Sequence, residues 1–517
     1  MSRGNDQTKS APGRAGLVYL VGAGPGDPGL LTLRGRECLQ QAQVVLYDRL
    51  ACEELLSWAP PDAELIGVGK APGAHSATQD EINALLVEKA LPGRIVVRLK
   101  GGDPFLLGRG GEEALALREH GIPCEVVPGV TSSIAAPELA GIPVTHRGLA
   151  SSVAVVTGHE GEGRTDGGVN WERLAGAVDT IVILMGVGNF GTIRDRLLDG
   201  GLPPETPVAF VERGTTPQQR SVHTTLGAAG ADAEAAGVCS PSVIVVGKVA
   251  ELGRSLNWFE QLPLKGKTIL LARPEAQAHE LSDMLRRLGA EPIVIPAIEI
   301  VPPEDFGPLD ELLRQASGAD WLVFTSTNAV SAVVARLWEL GLDLRALAGP
   351  RLAAVGARTA QGLEEQRLRV DLMPADYTTE ALACALIAQG VAGKKVLIPR
   401  SAQGTELLSD ALCQAGAEVL VAPAYRTLPV AANAERLREA VSSGRLDAVV
   451  LTSSSCVRSL VRAVGPEGLA ILRRGAIIAC IGAVTAETAR TCGLEPTVVA
   501  TESSAAGIRD VLVAALA

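Results

Sequence analysis

Residues 20–33, Leu-Val-Gly-Ala-Gly-Pro-Gly-Asp-Pro-Gly-Leu-Leu-Thr-Leu, decide how the chain begins to fold. Leu17–Val21 reads as a buried strand, and Gly22-Ala23-Gly24 as the sharp turn that ends it. A dinucleotide fingerprint would need a third glycine at position 27, opening a helix that holds a pyrophosphate. Position 27 is Asp, and Pro25 removes a backbone N–H that a phosphate cradle would use. A glycine-rich loop carrying its own carboxylate suits a cationic or neutral ligand better than a polyphosphate.

Outward from this loop, strand-like runs recur at Val44–Tyr47, Arg94–Leu99, Val153–Thr157, Ile181–Met185, Val208–Val211 and Val243–Val246. Stretches of helical spacing such as Glu112–His120 and Asn189–Leu198 separate them. The alternation predicts an α/β protein with largely parallel sheets. One rhythm ends at Asn257–Lys267, and Gly266-Lys267-Thr268-Ile269-Leu270 opens another. The second half repeats itself at an offset of about 127 residues. Gly266–Arg273 matches Gly393–Arg400, Leu281–Asp283 matches Leu408–Asp410, and Phe324–Ser326 matches Leu451–Ser453. That period is too long for a solenoid and predicts two similar α/β lobes with a cleft between them.

Composition excludes several classes of function. The net charge of −11 over 517 residues argues against nucleic acid, whose binding needs a basic face. No apolar run approaches the roughly 18 residues that span a bilayer. Residues 1–15 lack an apolar core and read as a disordered tail, not a signal peptide. The nine cysteines form no Cys-x-x-Cys pair, which points to free thiols in the cytoplasm. Neither they nor the six dispersed histidines show metal-ligand spacing, so no metal is expected.

Three further strand-end loops carry chemistry-bearing residues: Arg98-Leu99-Lys100-Gly101-Gly102-Asp103-Pro104-Phe105, Gly108–Glu113 and Val127–Ser133. Parallel sheets place ligands at such ends. The two glycines allow close backbone approach, and Asp103 is suited to accept hydrogen bonds from a ribose or an amine. Taken with Val21–Asp27, Tyr47–Leu50, Val68–Lys70 and Gly141–Arg147, these motifs closely resemble the uroporphyrinogen-III C-methyltransferases, within the wider precorrin methyltransferases. The resemblance covers residues 16–260 and implies a two-lobed, homodimeric α/β enzyme binding S-adenosylmethionine between its lobes. Its reaction would methylate two pyrrole carbons of uroporphyrinogen III, giving precorrin-2. By position, the resemblance implies donor contacts at Pro25, Gly101, Gly102, Asp103, Leu106, Thr131, Ser132, Met185 and Gly214. It also makes Asp48 the proton acceptor and Lys70 the proton donor. The acceptor's carboxylates call for guanidinium groups. Arg109 is grouped with the catalytic residues for its glycine-flanked loop, and Arg49, Glu112 and Arg147 with the acceptor-binding ones.

The second half resembles the uroporphyrinogen-III synthases through Leu271–Pro274, Phe324–Val330, Ile398–Arg400, Ala424–Thr427, Leu451–Ser455 and Ile481–Ala486. The resemblance implies lobe one at about 266–301 with 428–517, lobe two at about 302–427, and a two-stranded connector. The domain boundaries expected are 16–262 for the methylase-like half and 263–517 for the synthase-like half. The implied reaction closes linear hydroxymethylbilane to uroporphyrinogen III, inverting the last ring and losing water. Uncharged hydroxyl donors suit that chemistry. Tyr425 and Thr485 are the catalytic candidates, and Thr325, Ser326, Thr452, Ser453 and Ser454 are candidates to hold acetate and propionate arms. The Thr-Ser runs equally suit helix N-capping, because each directly precedes a helical pattern. The alternative for this half is a cleft that senses a tetrapyrrole without turnover. The residues before 16 carry no dehydrogenase pattern, so NAD-dependent oxidation and iron insertion are not expected.

Overall fold

The structure, a computed structural model, describes residues 16–49, 52–69, 78–159 and 168–517. The expected tail (1–15), Leu50 and Lys70 lie outside the described residues. The chain divides into two compact units between Gly266 and Lys267.

In the first unit, β1 (Leu17–Gly22), β2 (Val44–Tyr47), β3 (Glu64–Gly67), β4 (Ile95–Lys100) and β5 (Cys124–Val127) form a parallel sheet ordered β3-β2-β4-β1-β5. Helices cover both faces, so these strands are apolar almost throughout. Val18, Leu20, Val44, Leu46 and Val96 face the helices Gln79–Ala90 and Gly110–Glu119. Tyr19, Val21, Val45, Val97 and Leu99 face the layer that includes the helix Leu33–Gln40. The chain leaving β1 thus joins one layer, and the chain leaving its neighbour β4 joins the other. That divergence is a topological switch point, where open α/β sheets form a ligand crevice.

The second sheet of this unit comprises β6 (Val153–Thr157), β7 (Thr180–Leu184), β8 (Pro207–Glu212), β9 (Arg220–Thr225) and β10 (Ser242–Val246), ordered β6-β7-β10-β8-β9. Only β6 and β7 pair in parallel; β7–β10, β10–β8 and β8–β9 are antiparallel. The parallel expectation fails here for a local reason. The link from β8 to β9 is too short for a crossover helix and forces a hairpin.

The second unit holds β11 (Thr268–Leu271), β12 (Glu291–Val294), β13 (Ile298–Val301), β14 (Trp321–Phe324), β15 (Arg351–Ala354), β16 (Lys395–Ser401), β17 (Glu418–Pro429), β18 (Ala448–Leu451), β19 (Ile477–Cys480) and β20 (Val498–Val499). Its sheets run β12-β11-β18-β19-β20, all parallel, and β13-β17-β16-β14-β15. The long strand β17 pairs in parallel with β16 and then, over Arg426–Pro429, antiparallel with β13. These two strands carry the chain out of the first lobe and back. In each lobe the repeated segment makes the same strand–helix–strand: β11, Glu275–Arg286, β12 and then β16, Leu407–Gln414, β17.

Each unit has its own buried cores, so the two are expected to fold separately. Polypeptides 1–266 and 267–517 should each melt cooperatively when followed by circular dichroism. A soluble but unstructured polypeptide on either side would contradict this independence.

Candidate functional site

The crevice of the first unit is built by backbone. The turn after β1 and the loop after β4 bond each other directly, Gly102 N–H donating to Gly24 C=O at 2.7 Å. A Cβ on Gly22 would fall 2.4 Å from Gly129 Cα, and one on Gly129 would fall 2.2 Å from the Gly102 carbonyl oxygen. Only glycine permits three strand ends to meet this closely. Asp103 locks them: Oδ1 accepts from the N–H groups of Phe105 (2.8 Å) and Leu106 (3.0 Å), and Oδ2 from that of Gly129 (3.0 Å). Asp27 also turns inward on its own loop, accepting from Gly29 N–H at 2.7 Å. Both carboxylates therefore shape the crevice. Thr131 caps the helix Ser132–Leu139, accepting from Ser133 N–H.

The second sheet closes the same site. Asp27 N–H donates to Thr215 Oγ1 at 3.2 Å, and a Cβ on Gly214 would fall 2.2 Å from Ala136 Cβ. Pro25, Gly101, Gly102, Asp103, Thr131, Ser132 and Gly214 are thus gathered on loops that touch one another. Met185 and Gly214 follow β7 and β8, which end at the same edge of their sheet. Among the described residues six non-glycine residues have positive φ, and five lie on these loops: Leu107 (54°), Arg109 (59°), Met185 (56°), Arg213 (45°) and Thr215 (70°). Such strain costs about 1–3 kcal/mol per residue and clusters where a loop serves a ligand. Phe105, Leu106, Leu107 and Met185 expose large apolar side chains nearby.

Beneath the crevice lies a charge cluster that sequence reading missed. Glu113 is fully buried, and its Oε1 accepts from Lys100 Nζ (2.8 Å) and Arg98 Nε (3.1 Å). Arg98 is 2% exposed and reaches Asp48 Oδ1 with Nη2 at 2.5 Å. Burial first, and the charge of Arg98 second, lower the pKa of Lys100 from the ordinary lysine value. The signal was present in Ile-Val-Val-Arg-Leu-Lys (95–100), where two cations two residues apart share one face of an otherwise apolar parallel strand. Arg109 and Glu112 stand exposed and pair bidentately, Nε–Oε1 at 2.9 Å and Nη2–Oε2 at 2.8 Å, which holds Glu112 below the usual carboxylate range. Arg49 and Arg147 are exposed, with no side-chain ion pair among the described residues. Among the described residues no hydrogen bond or ion pair brings these three arginines together.

In the second unit, Ser326 and Ser453 cap the helices Thr327–Glu339 and Ser454–Gly475, as the capping reading expects. Ser326 Oγ also lies 3.0 Å from the Tyr425 hydroxyl, joining two candidates 99 residues apart. Both line a cavity of about 240 Å³ with Thr325 and Arg400. Ser454 Oγ bonds Thr488 Oγ1 at 2.7 Å, and Thr452 is half-buried just ahead of the cap. Thr485 is buried in the first turn of Ala483–Thr491, and Thr359 is buried at the matching place in the other lobe.

Residues 17–230 match the tetrapyrrole (corrin/porphyrin) methylases, and residues 279–509 match the uroporphyrinogen-III synthase HemD family. The porphyrin biosynthesis protein HemD of Ruminiclostridium josui is 39% identical over 479 residues, 93% of this chain and 94% of that protein. The S-adenosyl-L-methionine-dependent uroporphyrinogen III methyltransferase of Methanosarcina barkeri is 51% identical over 240 residues, 46% of this chain and 94% of its own length. A solved uroporphyrin-III C-methyl transferase of Thermus thermophilus, complexed with S-adenyl homocysteine, is 46% identical. It covers 46% of this chain and 100% of that one, with a TM-score of 0.40. The chain belongs to these families: it is a tetrapyrrole methylase joined in one polypeptide to a uroporphyrinogen-III synthase.

Glu113→Ala strands two buried cations and is expected to destabilise the first unit by about 3–5 kcal/mol. Urea unfolding followed on that unit's transition measures it. A change under about 1 kcal/mol would mean water already solvates the cluster.

Proposed function

We propose that the two halves catalyse consecutive steps. The second unit closes hydroxymethylbilane to uroporphyrinogen III with inversion of the last ring, and the first methylates that product twice to precorrin-2. The observation that carries the first assignment is the crevice, where loops from both sheets meet on strained backbone. The loops Gly22–Asp27, Gly101–Asp103 and Pro128–Ser132 carry no basic residue, and both their carboxylates are spent on backbone N–H groups. A neutral, backbone-lined cradle beside apolar Leu106 and Met185 fits S-adenosyl-L-methionine better than a polyphosphate. When bound there, S-adenosyl-L-methionine supplies an activated methyl group to an electron-rich pyrrole carbon.

The chain's own residues then have separable tasks. Gly101, Gly102, Pro25, Thr131, Ser132 and Gly214 shape the donor cradle, with Asp103 holding its loops. Asp48, oriented by Arg98, takes a pyrrole proton, and Lys70 serves as the proton donor. Arg109, Arg49 and Arg147 meet the acceptor's carboxylates, and Glu112 accepts from its pyrrole N–H groups. In the second unit the Tyr425–Ser326 hydroxyl pair assists departure of the substrate hydroxyl as water, with Thr485 supporting and Thr325, Thr452, Ser453 and Ser454 binding arms. The protein works as a cytoplasmic homodimer joined through its first unit. Among the described residues no cysteine forms a disulfide, and no helix is long and apolar enough to cross a membrane.

The direct test incubates the chain with hydroxymethylbilane and S-adenosyl-L-methionine and reads product mass and isomer. Dimethylated type III product is expected, whereas type I product alone would remove the synthase assignment. Asp103→Ala leaves three backbone N–H groups without their acceptor. Calorimetry should then show donor affinity at least about tenfold weaker, since about 1.4 kcal/mol is a factor of ten, with ring closure unchanged; unaltered affinity would detach Asp103 from the site. Tyr425→Phe keeps the ring's packing and removes its hydroxyl, so closure should slow and the type I fraction rise.

A further inference from the structure

Arg273 is the most anomalous side chain of the second unit. It follows β11, is 2% exposed, and its Nε is buried with no hydrogen-bond partner among the described residues. Its only hydrogen bond among them is from Nη2 to Gln277 Oε1, at 3.3 Å. Among the described residues no carboxylate pairs with it. Burying an uncompensated guanidinium costs several kcal/mol, so a fold retains one only where something else supplies the anion.

Its place in the fold says where that anion sits. The chain leaving β11 runs through Glu275–Arg286 to β12 on one side. The chain leaving its neighbour β18 runs through Ser454–Gly475 to β19 on the other. Arg273 and the Thr452-Ser453 run therefore flank the switch point of lobe one, the position where such sheets take ligands. The duplication repeats this arrangement. Arg400 stands at the same place in the repeat, at the end of β16 beside β14 and its Thr325-Ser326 run. Arg400, however, is already occupied by Glu406 and the Thr405 carbonyl. The two switch points face each other, because Gln277, bonded to Arg273, also donates to Asn328 Oδ1 of lobe two at 3.0 Å. Arg358, exposed at the start of Ala357–Glu365, presents a second cation from lobe two and has no ion pair among the described residues. Burial, and then Arg358, lower the Arg273 pKa to about 10, which leaves it a cation at neutral pH.

We infer that Arg273, assisted by Arg358 across the cleft, is a receptor for one carboxylate arm of a polycarboxylated tetrapyrrole, a subsite distinct from the Tyr425–Ser326 cavity. The inference rests on the synthase reading of this unit. A guanidinium fork fits a carboxylate bidentately, which an ammonium cannot reproduce.

The test uses the full chain carrying Arg273→Met, Arg273→Lys or Arg358→Met, with the parent as reference. For hydroxymethylbilane closure, Arg273→Met should raise KM at least about tenfold (the weight of one charge-assisted pair) with kcat changed far less. Arg273→Lys should recover part of the loss, Arg358→Met should raise KM several-fold, and methylation of supplied uroporphyrinogen III should be untouched. An unchanged KM in a folded Arg273→Met chain overturns the proposal. If that variant does not fold, Arg358→Met decides, and an unchanged KM there overturns it. If the parent makes no type III product, the synthase reading fails instead. The subsite is then judged by fluorescence titration with uroporphyrin III: loss of one class of binding in the Arg273 variants sustains it, and superimposable titrations overturn it.

Discussion

Three strand ends of the first sheet touch without side chains between them, and the rest of the first unit depends on that contact. A Cβ on Gly22 or on Gly129 would collide with backbone, the Gly102 carbonyl included, and Gly102 itself takes a left-handed φ of 69°. The carboxylate of Asp103 then satisfies the N–H groups that this close packing would otherwise strand. Because β1 and β4 send their chains to opposite helix layers, the contact lies at the floor of an open crevice. The second sheet reaches it through Thr215 and through the packing of Gly214 on Ala136.

Under that floor the charges are balanced by pairs. Two cations on one face of β4 meet Glu113 and Asp48, so the carboxylate at the crevice edge is held by a guanidinium that is itself buried. An arginine fixed in this way orients a carboxylate without closing it off, since Asp48 remains partly exposed. The second unit treats its arginines differently. Arg400 is neutralised within its lobe, while its duplicate Arg273 is buried with no hydrogen-bond partner for its Nε among the described residues. Duplication supplied two equivalent positions, and the lobes then diverged in how each charge is compensated.

Much of the architecture was legible in the sequence, because strand runs, turns and an internal repeat are local patterns. Leu17–Val21, Val44–Tyr47 and Val153–Thr157 were readable as strands, and the Thr-Ser runs as helix caps, since each signal lies within a few consecutive residues. The mixed pairing of β6–β10 was not, because a hairpin and a parallel pair present the same apolar run. Asp103 and Asp27 were readable as carboxylates at a loop but not as carboxylates already consumed by backbone N–H groups, which depends on how the loops stack.

By itself, then, the sequence determined the two α/β rhythms, the duplication, the turn at Gly22–Asp27 and the motifs that mark both families. Only the tertiary structure decided that Arg98, Lys100, Glu113 and Asp48 form one cluster, that Tyr425 meets Ser326, and that Arg273 pairs with no carboxylate among the described residues. The physical reason is common to all three. Charge compensation and hydroxyl pairing act over a few ångströms between residues up to 99 positions apart. Their energy depends on burial, which no single stretch of chain specifies.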